Sequence, residues 1–293
     1  MPFLTRVHPA RIAGAGLAVG LVLTGLAGPP APARADGATS APLAVGTFNI
    51  RAGVSTASFR SAVQAFAPRV DIGGLQEVNS RDKEAEIAAL AGMSYYRPRD
   101  RANQCPVFWR TGRFTLVSGT SKRISPRWFI GSEPRGPWID EKRATVVRLV
   151  DTTTGAQVSV INVHLIPGAI KAGRPVPERP KTARLYKREV RRLMDIVDAE
   201  AAWGQPYVLG DYNVGYVADF KQRRKRLPFR SFRRRTMISN WAGNVPDGKL
   251  GTHNDALIDQ VYSLGRAGAS SVQYDITESD HWPAVATYDV PIG

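Results

Sequence analysis

The sequence predicts an α/β sandwich of four layers, two packed mixed β-sheets flanked by helices, and three observations predict it. Short runs with strand character recur along the chain, helical periodicity is confined to a few segments, and the two kinds interleave with no repeat or heptad. Many strands with few helices bury their apolar faces most simply as two sheets face to face with helices outside. At 293 residues the chain can bury a core of that size, and 43% hydrophobic with 22% charged residues excludes wholesale disorder and collagen-like repeats.

The elements follow in order. Arg6 and Arg11 precede an uncharged run from Ile12 to Gly28, and Ala33-Arg34-Ala35 has the small-x-small form of a cleavage signal. Residues 1–35 are expected to be a secretory signal peptide, 36–42 a short linker and 43–293 one folded domain. The apolar run falls short of the roughly 20 residues of a membrane span, and no cysteine follows it, so the expected location is extracellular, with cleavage near Ala35. Strands are expected at Leu43–Ile50, Asp71–Val78, Pro106–Arg110, Arg113–Ser118, Ala144–Asp151, Gln157–Leu165, Pro206–Gly210, Leu257–Tyr262 and Ala284–Tyr288. Asp151-Thr-Thr-Thr-Gly155 reads as a hairpin turn between two of them. Helices are expected at Ser58–Phe66, Arg81–Ala91 and Lys181–Trp203, the last with Leu185, Leu193, Ile196 and Val197 on one face. The single cysteine, Cys105, excludes an intrachain disulfide and a cysteine-based zinc cluster.

The informative pattern lies where polar residues interrupt these strands. The first reaches Asn49, the second Glu77. Asn162 and His164 stand two apart, hence on one face, as do Asp211 and Asn213. Asp259 sits inside an apolar run, and Ser279-Asp280-His281 closes the set. Singly, each has an ordinary explanation: a strand-end cap, a solvated acid, a satisfied buried group, a core histidine. Together they do not. Of the four histidines, His8 lies in the expected signal, and two of the remaining three fall within these interruptions.

The order Asn49, Gln76-Glu77, Asn162-x-His164, Gly210-Asp211-Tyr212-Asn213, Ile258-Asp259 and Ser279-Asp280-His281 resembles the endonuclease/exonuclease/phosphatase superfamily, from about Leu43 to Asp289. The two histidines are similar to the branch of secreted deoxyribonucleases and sphingomyelinases. The resemblance implies a metal-dependent phosphoric ester hydrolase. Glu77, Asn49 and Asp280 would hold Mg²⁺ or another divalent cation, a hard ion that takes oxygen ligands. Asp211 and Asn213 would orient water and the scissile phosphate. His281 would contact the phosphate, Asp259 would fix its tautomer, and His164 with Asn162 would stand opposite. Arg143 and Asn103 are candidate substrate-binding residues, with Tyr95 and Tyr96 weaker ones. Gln260 departs from the aromatic often found after the dyad aspartate, and no acidic partner for His164 is evident.

The formal charge of +15 points to a polyanionic partner, although 31 of the 40 basic residues are arginine, a bias that a GC-rich genome alone produces. Residues 1–35 contribute only Arg6, Arg11 and Arg34 to it. Lys221–Arg235 carries nine basic residues and no acid, with Phe229 and Phe232 interleaved, and Lys171–Arg192 adds a second cluster. The pattern suits phosphate contact and base stacking, so nucleic acid is the first expected substrate and a nuclease the first expected activity. A solvated loop and a charged helix face would read the same way. A phospholipid phosphodiesterase on an anionic membrane surface, with Trp128-Phe129-Ile130 or Pro167–Ala172 inserting, is the second reading. An inositol-phosphate phosphatase is a third, and a non-enzymatic basic binding protein is disfavoured because every metal and histidine position is filled. The chain is expected to be a monomer.

Overall fold

The computed structural model describes residues 40–100, 103–134, 136–248 and 250–292; the expected signal peptide and most of the expected linker lie outside the described residues. In chain order it holds β1 (Ser40–Asn49), α1 (Thr56–Phe66), β2 (Ile72–Gln76), α2 (Arg81–Ala88), β3 (Met93–Tyr96), β4 (Val107–Arg110), β5 (Phe114–Ser125), β6 (Trp128–Phe129), β7 (Trp138–Ile139) and β8 (Lys142–Asp151). There follow β9 (Gln157–His164), β10 (Ile170–Lys171), β11 (Arg174–Pro175), α3 (Pro180–Ala201), β12 (Gln205–Asp211), α4 (Tyr216–Gln222), α5 (Pro228–Arg233), β13 (Ile238–Ser239), β14 (Asp259–Ser263), β15 (Ala269–Val272) and β16 (Ala284–Pro291).

Two six-stranded sheets result, ordered β15-β16-β1-β2-β4-β3 and β13-β14-β12-β9-β8-β5. Both are mixed: β1 runs parallel to β2 and antiparallel to β16, and β9 runs parallel to β12 and antiparallel to β8. The period of two sorts each strand into two faces. Leu43 and Val45 of β1 meet Val158, Val160, Tyr207 and Leu209 of the other sheet in the core between the sheets. Phe48 and Ile50 point outward instead, to Phe59, Val63 and Phe66 of α1. On the far side Ile161 and Val163 lie under Leu185, Val190, Leu193 and Val197 of α3. The four expected layers are present.

The helix ends are satisfied locally or from afar. Ser55 caps α1, its side chain accepting from the Ser58 amide at 3.1 Å. No cap side chain precedes α3; Glu133, from the loop between β6 and β7, accepts from the amides of Lys181 (2.6 Å) and Thr182 (3.1 Å). That carboxylate ties the loop to the helix N-terminus.

The row of residues facing between the sheets changes character at one end. In β1 it runs Leu43, Val45, then Thr47 and Asn49; in β9, Val158, Val160, then Asn162 and His164; in β12, Tyr207, Leu209, then Asp211. Register puts these changes level: Asn49 opposite Gln76, Asp211 opposite both His164 and Asp259, Thr145 opposite Asn162. Asn162 crosses between the sheets, accepting from Gln76 Nε2 (2.7 Å) and donating to the carbonyls of Leu75 (2.9 Å) and Pro106 (2.8 Å). Gly74 lets the sheets approach there, because a Cβ would stand 1.9 Å from Leu209 Cδ1.

Some elements differ from expectation. The last central strand starts at Asp259 rather than Leu257, because the carbonyls of Leu257 and Ile258 instead accept from Tyr216 and Tyr212 (3.0 Å each). The strand expected to end at Ser118 continues to Ser125 on an exposed edge whose polar residues hid it. The basic run folds into the end of α4 and into α5.

Candidate active site

Four ionisable side chains meet at the polar end of the sandwich. His281 shares Nδ1 with Asp259 Oδ2 at 2.9 Å, and its Nε2 lies 4.0 Å from Asp211 Oδ2. His164 Nε2 stands 3.4 Å from the same Asp211 oxygen. The acidic partner of His164, not evident from sequence, is therefore Asp211; the pairing depends on β9 lying beside β12, which the linear chain does not show. Burial alone would pull the His281 imidazolium down, but the charge and hydrogen bond of Asp259, with Asp211 and Asp280 beyond, raise it to about 9. Burial, and then the charge of Asp259, push Asp211 above the usual carboxylate range against the pull of the two histidines.

Backbone geometry aims the neighbouring side chains. Gly210, at φ 146°, precedes Asp211 where a Cβ would lie 2.0 Å from the Val163 carbonyl oxygen, so glycine alone fits. Glu77 (φ 65°) and Asn213 (φ 51°) are both left-handed, one residue and two residues past the ends of their strands. Non-glycine residues are uncommon there, and such strain gathers at functional sites. The turn at Asn213 is closed by its amide on Asp211 Oδ1 (2.8 Å), while its side chain donates to the Leu165 carbonyl (2.9 Å).

A hard cation fits beside this cluster. Asn49 Nδ2 donates to Glu77 Oε1 (3.2 Å) and to Asp211 Oδ2 (3.0 Å). Both neighbours are carboxylates and accept only, so the amide turns its oxygen away from them, and Asn49 Oδ1 is buried without a partner. That orphaned oxygen, the Glu77 carboxylate and the exposed carboxylate of Asp280 are the donor types magnesium takes. Ser279 ties the segments together: its hydroxyl donates to the Asn49 carbonyl (2.8 Å) and accepts from the Arg51 amide (3.0 Å).

The remaining expected residues stand behind or beside the cleft. Asn162 serves as the brace between sheets. Asn103 is fully buried, its amide engaged by Ser121 (3.2 Å), Thr145 (3.0 Å) and the Cys105 backbone (2.9 Å). Arg143 lies two residues before Thr145 on the same face, held by Ser121 (2.7 Å) and Glu141 (2.6 Å). Tyr95 and Tyr96 lie on the edge strand β3. Phe232, read as a base-stacking residue, is buried against Tyr262 with ring centroids 3.9 Å apart, and Phe229 packs on Tyr216 and Phe220.

Two neighbours escape a reading of the sequence. His253 stacks on His281 (centroids 4.3 Å) and shares Nδ1 with the Asp280 carbonyl at 2.9 Å. As the one histidine past residue 35 left outside the motifs, it carried the only available hint. Lys83 donates to the Ala52 carbonyl (2.8 Å), whose amide in turn holds Glu77 Oε2 (2.7 Å).

The four-layer sandwich that carries these carboxylates and histidines at the ends of its central strands is a fold that solved structures share. A family protein from Bacteroides thetaiotaomicron described as endonuclease/exonuclease/phosphatase superposes with TM-score 0.64 and 15% identity, over 86% of this chain and 98% of that one. The mannosyl-6-phosphatase of the same species gives 0.62 and 15%, over 85% and 99%. TDP2 of D. rerio, complexed with a single-strand DNA product, gives 0.61 and 10%, over 84% and 98%. No family model and no curated protein sequence matches the chain. The fold is that of the endonuclease/exonuclease/phosphatase superfamily.

Proposed function

We propose that the protein is a secreted phosphodiesterase dependent on a divalent cation, and that its substrate is nucleic acid. The observation that carries this reading is the continuous line His164–Asp211–His281–Asp259 beside the orphaned oxygen of Asn49. Phosphodiester hydrolysis needs charge neutralised on the phosphoryl oxygens, a positioned water and a proton for the leaving oxygen. A cation held by Glu77, Asn49 and Asp280 would supply the first. Asp211 would hold the water and accept its proton as the oxygen attacks phosphorus. His281, kept protonated by Asp259, would donate a hydrogen bond to the phosphoryl group. His164, across Asp211, would pass a proton to the departing oxygen. The basic surface and the DNA product held by TDP2 favour nucleic acid among phosphate esters.

Purified protein assayed with Mg²⁺ or EDTA on plasmid DNA, RNA, sphingomyelin vesicles and inositol phosphates tests the reading. Cutting of nucleic acid that EDTA stops and salt weakens is expected. Headgroup release or phosphate release with nucleic acid untouched would overturn the substrate while leaving the site.

A further inference from the structure

The strands β5 and β8 end at Ser125 and Lys142, level with the His164 end of β9, so the ribbon β6–β7 between them projects from the rim of the cleft. The ribbon is apolar where it meets water. Trp128 is 36% exposed, Phe129 52% and Trp138 47%, and the last two rings lie 4.9 Å apart. Each ring carries a cation: Arg127 over Trp138 at 4.5 Å, Lys181 over Phe129 at 5.5 Å, Arg188 over Trp128 at 5.7 Å.

Lys181, Arg184 and Arg188 recur at helical spacing, so they form one stripe on α3. Among the described residues Arg184 and Arg188 form no ion pair, and Lys181 has only the charge of Glu133 near it. Arg188 Nε is buried without a partner. Between stripe and ribbon lies a groove of about 380 Å³ lined by Trp128, Phe129, Lys181, Arg184, Leu185 and Arg188, a volume within the range of ligand sites. The Glu133 carboxylate, bonded to the α3 N-terminus, fixes the two walls against each other.

A stripe of cations, two of them without an ion-pair partner, alternating with exposed rings matches a polymer that alternates phosphates with flat bases. We infer that this groove binds a single-stranded segment of nucleic acid flanking the scissile bond, phosphates on Lys181, Arg184 and Arg188, bases on the ribbon's rings and the guanidinium planes. The inference rests on the nuclease reading and names its substrate form. Only unpaired bases expose the faces the rings require. A membrane fits less well, because inserting the rings would carry Arg127, Lys181 and Arg188 into hydrocarbon with them.

Binding of a fluorescent oligothymidylate to the full chain in EDTA, read by anisotropy, separates recognition from hydrolysis. Phe129→Ala and, separately, the charge reversals Arg184→Glu and Arg188→Glu are each expected to weaken binding about tenfold. Duplex of equal length is expected to bind more weakly than the single strand. With Mg²⁺, the same variants should lose kcat/KM on oligonucleotide relative to bis(p-nitrophenyl) phosphate. Unaltered oligonucleotide affinity in Arg184→Glu, at an exposed position, would overturn the inference, and so would unaltered affinity in Arg188→Glu, whose half-buried position calls for a melting curve to show the variant folded. So would sedimentation with phosphatidylserine vesicles that these variants abolish while oligonucleotide binding stands. If the protein binds oligonucleotide through this groove but cuts none, the groove stands and the proposed activity falls.

Discussion

Asp259 and His281 test the site at the scale of single residues. Asp259→Asn keeps the shape of the pair but removes the charge that raises His281 to about 9, so the imidazole turns neutral near pH 7. Hydrolysis is expected to fall roughly a thousandfold or more, by analogy with other carboxylate–imidazole pairs. Circular dichroism and a melting curve would check that the loss is chemical; near-normal turnover would remove Asp259 from the site. Glu77→Gln keeps one of the two accepted hydrogen bonds and takes the carboxylate from the proposed cation site, and Mn²⁺ affinity by calorimetry should drop at least about tenfold. Single residues were also the most legible part of the sequence. Asn49, Glu77, His164, Asp211, Asn213, Asp259 and His281 stood out because a carboxylate, amide or imidazole is costly in a buried strand without a reason. His253 did not, since its loop has no apolar run for a polar residue to interrupt.

Elements were legible where periodicity was strong. α1 and α3 came within two residues at each end because their apolar positions repeat at the helical spacing over several turns. The ribbons β6–β7 and β10–β11 are two residues per strand, too short for any period to register, and α5 hides inside a charged run. Strand pairing was not legible either, and with it went the contact between His164 and Asp211. At this scale Gly210 is the decisive position. Gly210→Ala would set a Cβ against the Val163 carbonyl and force β12 from β9. A loss of about 3 kcal/mol in a urea titration is expected, together with loss of activity as Asp211 moves. A variant as stable as the parent would mean that the strands part without cost.

Taken as a whole, the molecule buries two acids away from the cleft that give it an unusual pH response. Glu189 is buried on α3, bonded by Ser125 (2.8 Å) and the Ile166 amide (2.9 Å), and burial pushes it up to about 7. Burial likewise raises Asp219 to about 7 despite the Phe229 amide. The folded state holds protons that the unfolded chain releases above the ordinary carboxylate pKa. These two groups therefore stabilise the fold less as pH climbs from about 4.5 to 7. Urea midpoints at pH 5 and pH 8 should converge in a Glu189→Gln, Asp219→Asn variant; an unchanged gap between them would show the two acids play no part.

The brace between the sheets has a consequence for when the site comes into being. Asn49 and Glu77 follow from one sheet, His164, Asp211 and Asp259 from the other, and the pieces come together only when the two sheets dock, where Asn162 clasps Gln76 and Asn49 reaches Asp211. Each half alone lacks part of the site. The site would thus be assembled late, as a product of the docking of the two sheets and not of either one, and a chain halted with one sheet formed should hold neither the cation pocket nor the proton relay.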